Sequence, residues 1–439
     1  MRILYTISVR LYFLSIRVAS LWNTKANKWV KGRKDSWEKV ERFVDENSKL
    51  SPSVNGHNSK LSNQKKQIDN RNPDESTDEE GQSLKTYWFH CASLGEFEQG
   101  RPLIEALKEK SHCRIVITFF SPSGYEIRKN YDVADLILYL PNDSKKNAKR
   151  FLNLVDPSAI FFIKYEFWAN YIFEAKKRES PLYSVSAVFR KKQIFFKWYG
   201  GYMRSVLKSI SQIFVQNLES KNLLESIAIK SIVGGDTRYD RVMKNADKAE
   251  HFPLIDSFSK NHKIFVCGSL WLQDLQVVSD SLNNLGDDWK IILTTHETDE
   301  SHLKEAEVFF KNKKIIRYSK LNQDNSDSKI LLIDNVGMLM HLYSYGNLAY
   351  VGGAFKTGLH NILEPASFGL PVIFGPNHKK FPEAQLFIDN GIGFSVSNSK
   401  AFQTILSKLQ TENLNVKVLL FMNSQRGATD KILNAVIES

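Results

Sequence analysis

Cysteine is scarce. The 439 residues hold three, Cys91, Cys113 and Cys267, each in an apolar strand-like run and none in a CxxC pair. That excludes a disulfide framework and a thiolate zinc site, and fits reduced, packed thiols in a cytosolic compartment. An Asp-x-Asp pair is absent, so nothing local in the sequence is suited to hold a divalent ion beside a sugar nucleotide, and metal-independent chemistry is expected. No small-residue cleavage site follows the apolar start, which argues against a secretory leader. Aromatic residues are missing from Asn47 to Gln82; this stretch of Ser, Asn, Lys, Gln, Asp and Glu cannot bury enough surface to order itself and reads as a disordered polar insert over 47–82.

What is present is unevenly charged. Residues 1–42 carry ten Lys or Arg against three acids, more than half of the chain's net +12. The opening ILYTISVRLYFLSIRVASLW is apolar but broken by Arg10 and Arg17. It reads as a short, costly span, as a helix lying in the interface with its arginines snorkelling, or as a buried helix of a soluble enzyme. The basic flank from Lys25 to Lys34 favours an anionic membrane surface, so 1–46 is taken as a membrane arm. Deleting residues 1–22 is then expected to leave the rest of the fold intact.

From Thr86 onward fourteen apolar runs, TYWFH to SIVGG and then KIFVCG to GFSVS, alternate with amphipathic segments. This is the pattern of βα units on parallel sheets, and it predicts two doubly wound domains, 83–240 and 241–439. Ligands of such sheets bind beyond the carboxyl ends of the strands. Glu96 follows the first run in a Ser-Leu-Gly-Glu turn, and Glu166 follows AIFFIK. Both are suited to general-base chemistry, though either is also explained as an acid at a helix start, Glu166 with Lys164 as its partner. In GGAFKTGLHNILEPASFGLPVIFGP, Gly352 and Gly353 permit close backbone approach, helix-start amides can hold a phosphate, and Asn361 and Glu364 are placed to meet a ribose. The plainer alternative is a glycine-rich turn. Between Ser186 and Lys208 six cations, Arg190, Lys191 and Lys192 among them, mix with six aromatics and no acid. That suits phosphorylated glycolipid and headgroups; nucleic acid is the competing partner, and the apolar arm argues against it.

HCASLGEFEQGRPLIEAL, IKYEFWAN, VGGDTRYD, TTHE and the glycine-rich string resemble, in order and spacing, the 3-deoxy-D-manno-octulosonic acid (Kdo) transferases of lipopolysaccharide synthesis. The likeness covers nearly all of the chain outside 47–82. It implies a GT-B glycosyltransferase, two Rossmann-like domains facing a cleft, with no cofactor. The implied reaction moves Kdo from CMP-Kdo to the lipid A precursor lipid IVA at the cytoplasmic face of the inner membrane. It implies that Glu96 is the general base and Glu166 a second essential carboxylate, that 83–240 binds the acceptor with help from Arg190, Lys191 and Lys192, and that 241–439 binds CMP-Kdo. The implied CMP-Kdo contacts are Gly268, Ser269, His296, Glu297, Gly352, Gly353, Asn361 and Glu364. His296-Glu297 stands where many members have Pro-Arg-His, so the chain departs from the family at a phosphate-binding arginine. Fold alone does not fix chemistry, so a non-catalytic or differently specific nucleotide-sugar binder remains the alternative.

Overall fold

The computed structural model describes residues 2–50, 84–282, 285–356 and 358–437. Every one of the fourteen apolar runs is a strand. The first sheet contains β1 (Thr86–Cys91), β2 (Arg114–Phe119), β3 (Leu136–Tyr139), β4 (Ala159–Ile163), β5 (Leu182–Ala187), β6 (Gln212–Val215) and β7 (Ile232–Val233). Their order is β3-β2-β1-β4-β5-β6-β7, and all neighbours are parallel. The second sheet contains β8 (Lys263–Leu270), β9 (Trp289–Thr295), β10 (Ile315–Arg317), β11 (Ile330–Ile333), β12 (Leu348–Val351), β13 (Val372–Phe374) and β14 (Gly393–Ser395), in the order β10-β11-β9-β8-β12-β13-β14. Helices cover both faces of each sheet, so central strands such as AIFFI of β4 and WKIILTT of β9 are buried at every position. That is why they read as continuous apolar runs and not as alternations.

The chain forms two compact units, residues 1–237 with 427–439, and residues 238–426. This differs from the expected split into 83–240 and 241–439. The crossing falls at the start of the helix Thr237–Ala246, and the closing helix Ala428–Ile437 belongs to the first unit. There Ile432 and Leu433 are fully buried in the same core as Phe89, Phe161 and Phe214. Residues 241–256, at the expected boundary, form the rest of the helix Thr237–Ala246, a short connection and the start of the helix Pro253–Ser259, all inside the second unit.

The basic arm is not a separate appendage either. It folds as α1 (Arg2–Ala19), α2 (Thr24–Lys31) and α3 (Ser36–Leu50). Val40 and Phe43 of α3 join the core of Trp88, Leu138 and Phe151. Since α3 runs to Leu50, the first residues assigned to the polar insert are helical, and the remainder of that insert lies outside the described residues. On α1, Val9 and Phe13 are buried with Trp29, while Ile3, Leu4, Leu11 and Leu14, and Trp22 just beyond it, remain exposed. Among the described residues no single helix is long and apolar enough to cross a membrane; α1 and the helical segment after it are bent by 116°. Removing α1 would therefore uncover core side chains, contrary to the expectation of an unaffected fold.

Candidate active site

In the first unit, β1 ends in Cys91 and α4 (Leu94–Lys110) begins three residues later, placing Glu96 in its first turn. Glu96 is thus an acid at a helix start, as the plainer explanation has it, and it also has a side-chain partner. Ser93 sits at the cap position but makes no side-chain bond to the helix amides; its hydroxyl instead donates to Glu96 Oε2. Glu166 lies in the turn between β4 and α7 (Ala169–Lys177), before the helix and not on it. Two ring nitrogens converge on its Oε2: Trp168 Nε1 donates at 2.6 Å, and His90 Nε2 lies 3.1 Å away. His90 is completely buried on β1.

The ring of His90 is held on both sides. Trp88 Nε1 donates to Thr118 Oγ1 at 2.8 Å, and His90 Nδ1 lies 2.8 Å from the same Oγ1 and 3.1 Å from the Thr118 carbonyl oxygen. His90 Nε2 faces Glu166 Oε2 at 3.1 Å and Trp168 Nε1 at 3.0 Å. Trp168 is itself wedged: its ring stacks on Phe13 of α1 at 6.2 Å and on Phe120 at 5.3 Å between centroids. The N-terminal helix thus reaches Glu166 through one indole.

The two carboxylates share one sheet edge. Burial pushes the Cys91 thiol well up, and the charges of Glu96 and Glu166 both add to that. Tyr165 connects the edge to the expected acceptor cations. Its pKa is raised chiefly by burial, lowered by Arg190 and raised again by Glu96, and Arg190 lies over its ring at 5.8 Å. Arg190, Lys191 and Lys192 are exposed beside Trp198 and Tyr199, which are also exposed. Arg204 of the same basic segment is spent on structure, donating to the carbonyls of Phe195 and Lys197.

In the second unit the glycine-rich string does what glycine requires, but its amides are committed. A Cβ on Gly352 would lie 2.3 Å from the Ser269 carbonyl oxygen, and Gly353 has φ +94° with the Gly358 oxygen 2.4 Å from where its Cβ would be. Gly352 N–H donates to Gly268 O, and Gly353 N–H donates to Asp274 Oδ2, both at 2.9 Å. These two amides are therefore satisfied within the protein; of the helix-start amides expected to hold a phosphate, Leu363 N–H meets Asn361 Oδ1 at 3.1 Å. Gly268 leaves room for the Tyr343 hydroxyl, which would sit 2.2 Å from an added Cβ. Ser269 occupies the left-handed region at φ +56°, where the β8–β9 register shifts; a non-glycine residue held there is strained.

Of the pair His296-Glu297, only the histidine joins this edge. His296 is sandwiched between Trp271 at 4.2 Å and His360 at 4.6 Å, and Lys356 Nζ lies 4.6 Å from the Trp271 ring centre. Burial, with a contribution from His296, pulls His360 down to about 4, so it is neutral at pH 7. Glu297 turns instead to the half-buried His302, 3.6 Å away, which also bonds Asp299. The helix holding Glu364 is short, Leu363–Ser367. Asn361 caps it by accepting from Leu363 N–H and donates to Glu364 Oε1 at 3.0 Å. Burial raises Glu364 despite Asn361 and Arg241, which lower it. Arg241, the residue directly after the VGGDTRYD string, is the cation that sequence reasoning failed to place. His90, Trp168 and Trp271 were also missed, although each lies inside or beside a quoted motif.

Two parallel seven-stranded units with their special residues at strand ends define the class: a GT-B-like α/β fold. Solved structures agree. UDP-GlcNAc 2-epimerases from Neisseria meningitidis and Methanocaldococcus jannaschii superpose with TM-scores of 0.54 and 0.53, covering 81% and 80% of this chain and 100% and 99% of theirs, at 16% identity each. That likeness is one of fold. Residues 61–241 match the 3-deoxy-D-manno-octulosonic-acid transferase family. Curated 3-deoxy-D-manno-octulosonic acid transferases are similar too: one from Aquifex aeolicus at 27% identity over 75% of this chain and 88% of its own length, and one from Haemophilus influenzae at 27% over 79% and 85%. The chain thus resembles the Kdo transferases over about three quarters of its length, and these relatives support a glycosyltransferase.

Proposed function

We propose that the chain transfers Kdo from CMP-Kdo to a hydroxyl of a phosphorylated lipid A precursor, lipid IVA or a close relative, at the cytoplasmic face of the inner membrane. The observation that carries this reading is the convergence of Glu96 and Glu166 on one sheet edge, beside exposed cations, exposed aromatics and the apolar outer face of α1. An acceptor hydroxyl is a weak nucleophile; Glu96 takes its proton as its oxygen attacks the anomeric carbon of Kdo. The bond from that carbon to the phosphate oxygen breaks, and CMP departs as a phosphate monoester anion. Glu166, held by Trp168 and His90 through Oε2, keeps Oε1 available to orient the acceptor sugar.

The second unit supplies the donor half in this reading. Glu364 and Asn361 meet the ribose, and the strained Ser269 turn and the glycines let the nucleotide lie close. With the glycine amides committed, the cations nearest the glycine-rich string are Lys356 and Arg241, and they stand in for the arginine that other members use. Lys356 also lies over the face of Trp271, and the flat column of Trp271, His296 and His360 offers a stacking surface.

The deciding experiment is a mass-resolved transfer assay with CMP-Kdo and tetraacyl lipid IVA. The wild type should add Kdo; Glu96→Gln should lower turnover by roughly 10²-fold or more with CMP-Kdo affinity little changed. A Glu96→Gln enzyme of normal turnover would remove Glu96 from the role of base.

A further inference from the structure

Among the described residues, Arg33 is a guanidinium with no carboxylate paired to it. It is packed among Trp29, Tyr139 and Phe120, 3.5, 4.6 and 5.2 Å from their ring centres. Its terminal nitrogens donate to the carbonyls of Trp29 and Phe120, while its buried Nε has no partner among the described residues. Burial pulls its pKa down to about 9. A cation kept in such a place ordinarily has a counter-charge.

The wall around it is unsatisfied in the same sense. Arg33 lines a cavity of about 390 Å³ together with Trp29, Ser36 and Asn142. Trp29 Nε1, Ser36 Oγ and Asn142 Oδ1 are all buried with no described partner. Arg17 and Lys34, both exposed, stand at its rim, and no acid lines it. An indole N–H, a hydroxyl, a guanidinium N–H and two further cations in an acid-free cavity are the chemistry of a tetrahedral oxyanion. The Asn142 amide turned the other way presents its NH₂ to the same ligand.

The surroundings say what carries that anion. Arg17, Asn142 and Asn147 also line a larger groove of about 1250 Å³, bounded by α1 and by the first turn of α6 (Lys145–Val155). Arg2, Arg10, Lys145 and Lys146 line it with a single acid, Asp143. That carboxyl is held by Tyr5 and Asn170, and burial raises its pKa, so it opposes an anion weakly. Phe13 lines the groove and stacks on Trp168, the indole that bonds Glu166. The outer face of α1 is apolar. A small inorganic ion needs none of this; an anion attached to acyl chains uses all of it.

We propose that the cavity around Arg33 is a phosphate subsite for the acceptor, holding a phosphomonoester of a membrane-resident glycolipid while its sugar lies at the edge occupied by Glu96 and Glu166. This rests on the acceptor reading given above. The test binds the full chain to phosphatidylcholine vesicles doped with bisphosphorylated tetraacyl disaccharide, with the same lipid dephosphorylated, or with phosphatidylglycerol at equal charge. The phosphorylated glycolipid should bind about 10-fold more tightly than either of the others. The double variant Arg17→Gln/Lys34→Gln, altered only at exposed positions, should lose that preference and keep the wild-type melting temperature. Equal binding of phosphatidylglycerol would assign the cations to bulk headgroups and overturn the subsite. So would equal binding of the dephosphorylated lipid, or a double variant that retains the preference. Transfer is read separately: a wild type that binds with phosphate preference yet transfers no Kdo would sink the catalytic reading and leave the subsite standing.

Discussion

β1 and β8 occupy the same place in their sheets, each flanked by the next strand in sequence on one side and by β4 or β12 on the other, yet the loops that leave them carry opposite chemistry. Behind β1 and β4 stand carboxylates fixed by side-chain partners, Ser93 at Glu96 and Trp168 with His90 at Glu166. Behind β8 and β12 stand a strained serine, two glycines and a column of imidazole and indole rings, with backbone amides already satisfied. Strand order decides where a ligand meets the sheet. The residues of each loop decide whether that edge removes a proton or grips a nucleotide, and in the first unit a helix from the N-terminal arm has been recruited to hold one of them still.

The contrast is best broken at Trp168, where the largest of three effects is expected. Trp168→Phe keeps a ring against Phe13 and Phe120 and removes the N–H that meets Glu166. A hydrogen bond to a charged group contributes roughly 1.5–3 kcal/mol, so kcat should fall about 10- to 100-fold with the KM for CMP-Kdo nearly constant. A normal kcat would show that the N-terminal helix has no hand in catalysis.

The opposite signature belongs to Glu364. Glu364→Ala should raise the CMP-Kdo requirement about ten-fold to several tens-fold, on the scale of a lost charge-assisted hydrogen bond, and leave saturated turnover alone. Calorimetric titration with CMP and a melting curve on the same variant separate the roles: unchanged CMP binding with a lower melting temperature would make Glu364 a helix-start acid only.

The smallest effect concerns His360, which is held neutral down to about 4 against an unfolded value near 6.5. Between these values the unfolded chain binds more protons than the folded one, so this contribution to stability is present above pH 6.5 and is lost as pH falls through about 4. His360→Gln should flatten the acid-side fall of the melting temperature over that window by a few degrees; an unaltered acid limb would show that the stacked column tolerates a charged ring.

Sequence reading recovered every strand because fully buried parallel strands advertise themselves as apolar runs. It placed Glu96, Glu166 and His296 just beyond strands, and Glu364 at a helix start, where the structure has them. It could not separate His296 from Glu297, because neighbours in an extended chain point in opposite directions and only the sheet decides which way is inward. His90 was hidden inside the strand run WFHC, where a histidine looks like one more core residue until Glu166 is brought beside it. The apolar periodicity of Ile432 and Leu433 was visible, but nothing in it says which of two similar sheets they cover.

That last helix bears on how the protein is made. Residues 238–426 are synthesised after most of the first unit and before the helix that completes its core. At about 5–20 residues per second this leaves roughly 10–40 s during which Phe89, Phe161 and Phe214 wait on the ribosome without their covering helix. The second unit, contiguous in sequence, can close its core within that interval. The first cannot, so the unit that begins translation is the one that finishes folding last, and its half-open sheet is the stretch of nascent chain most in need of a chaperone.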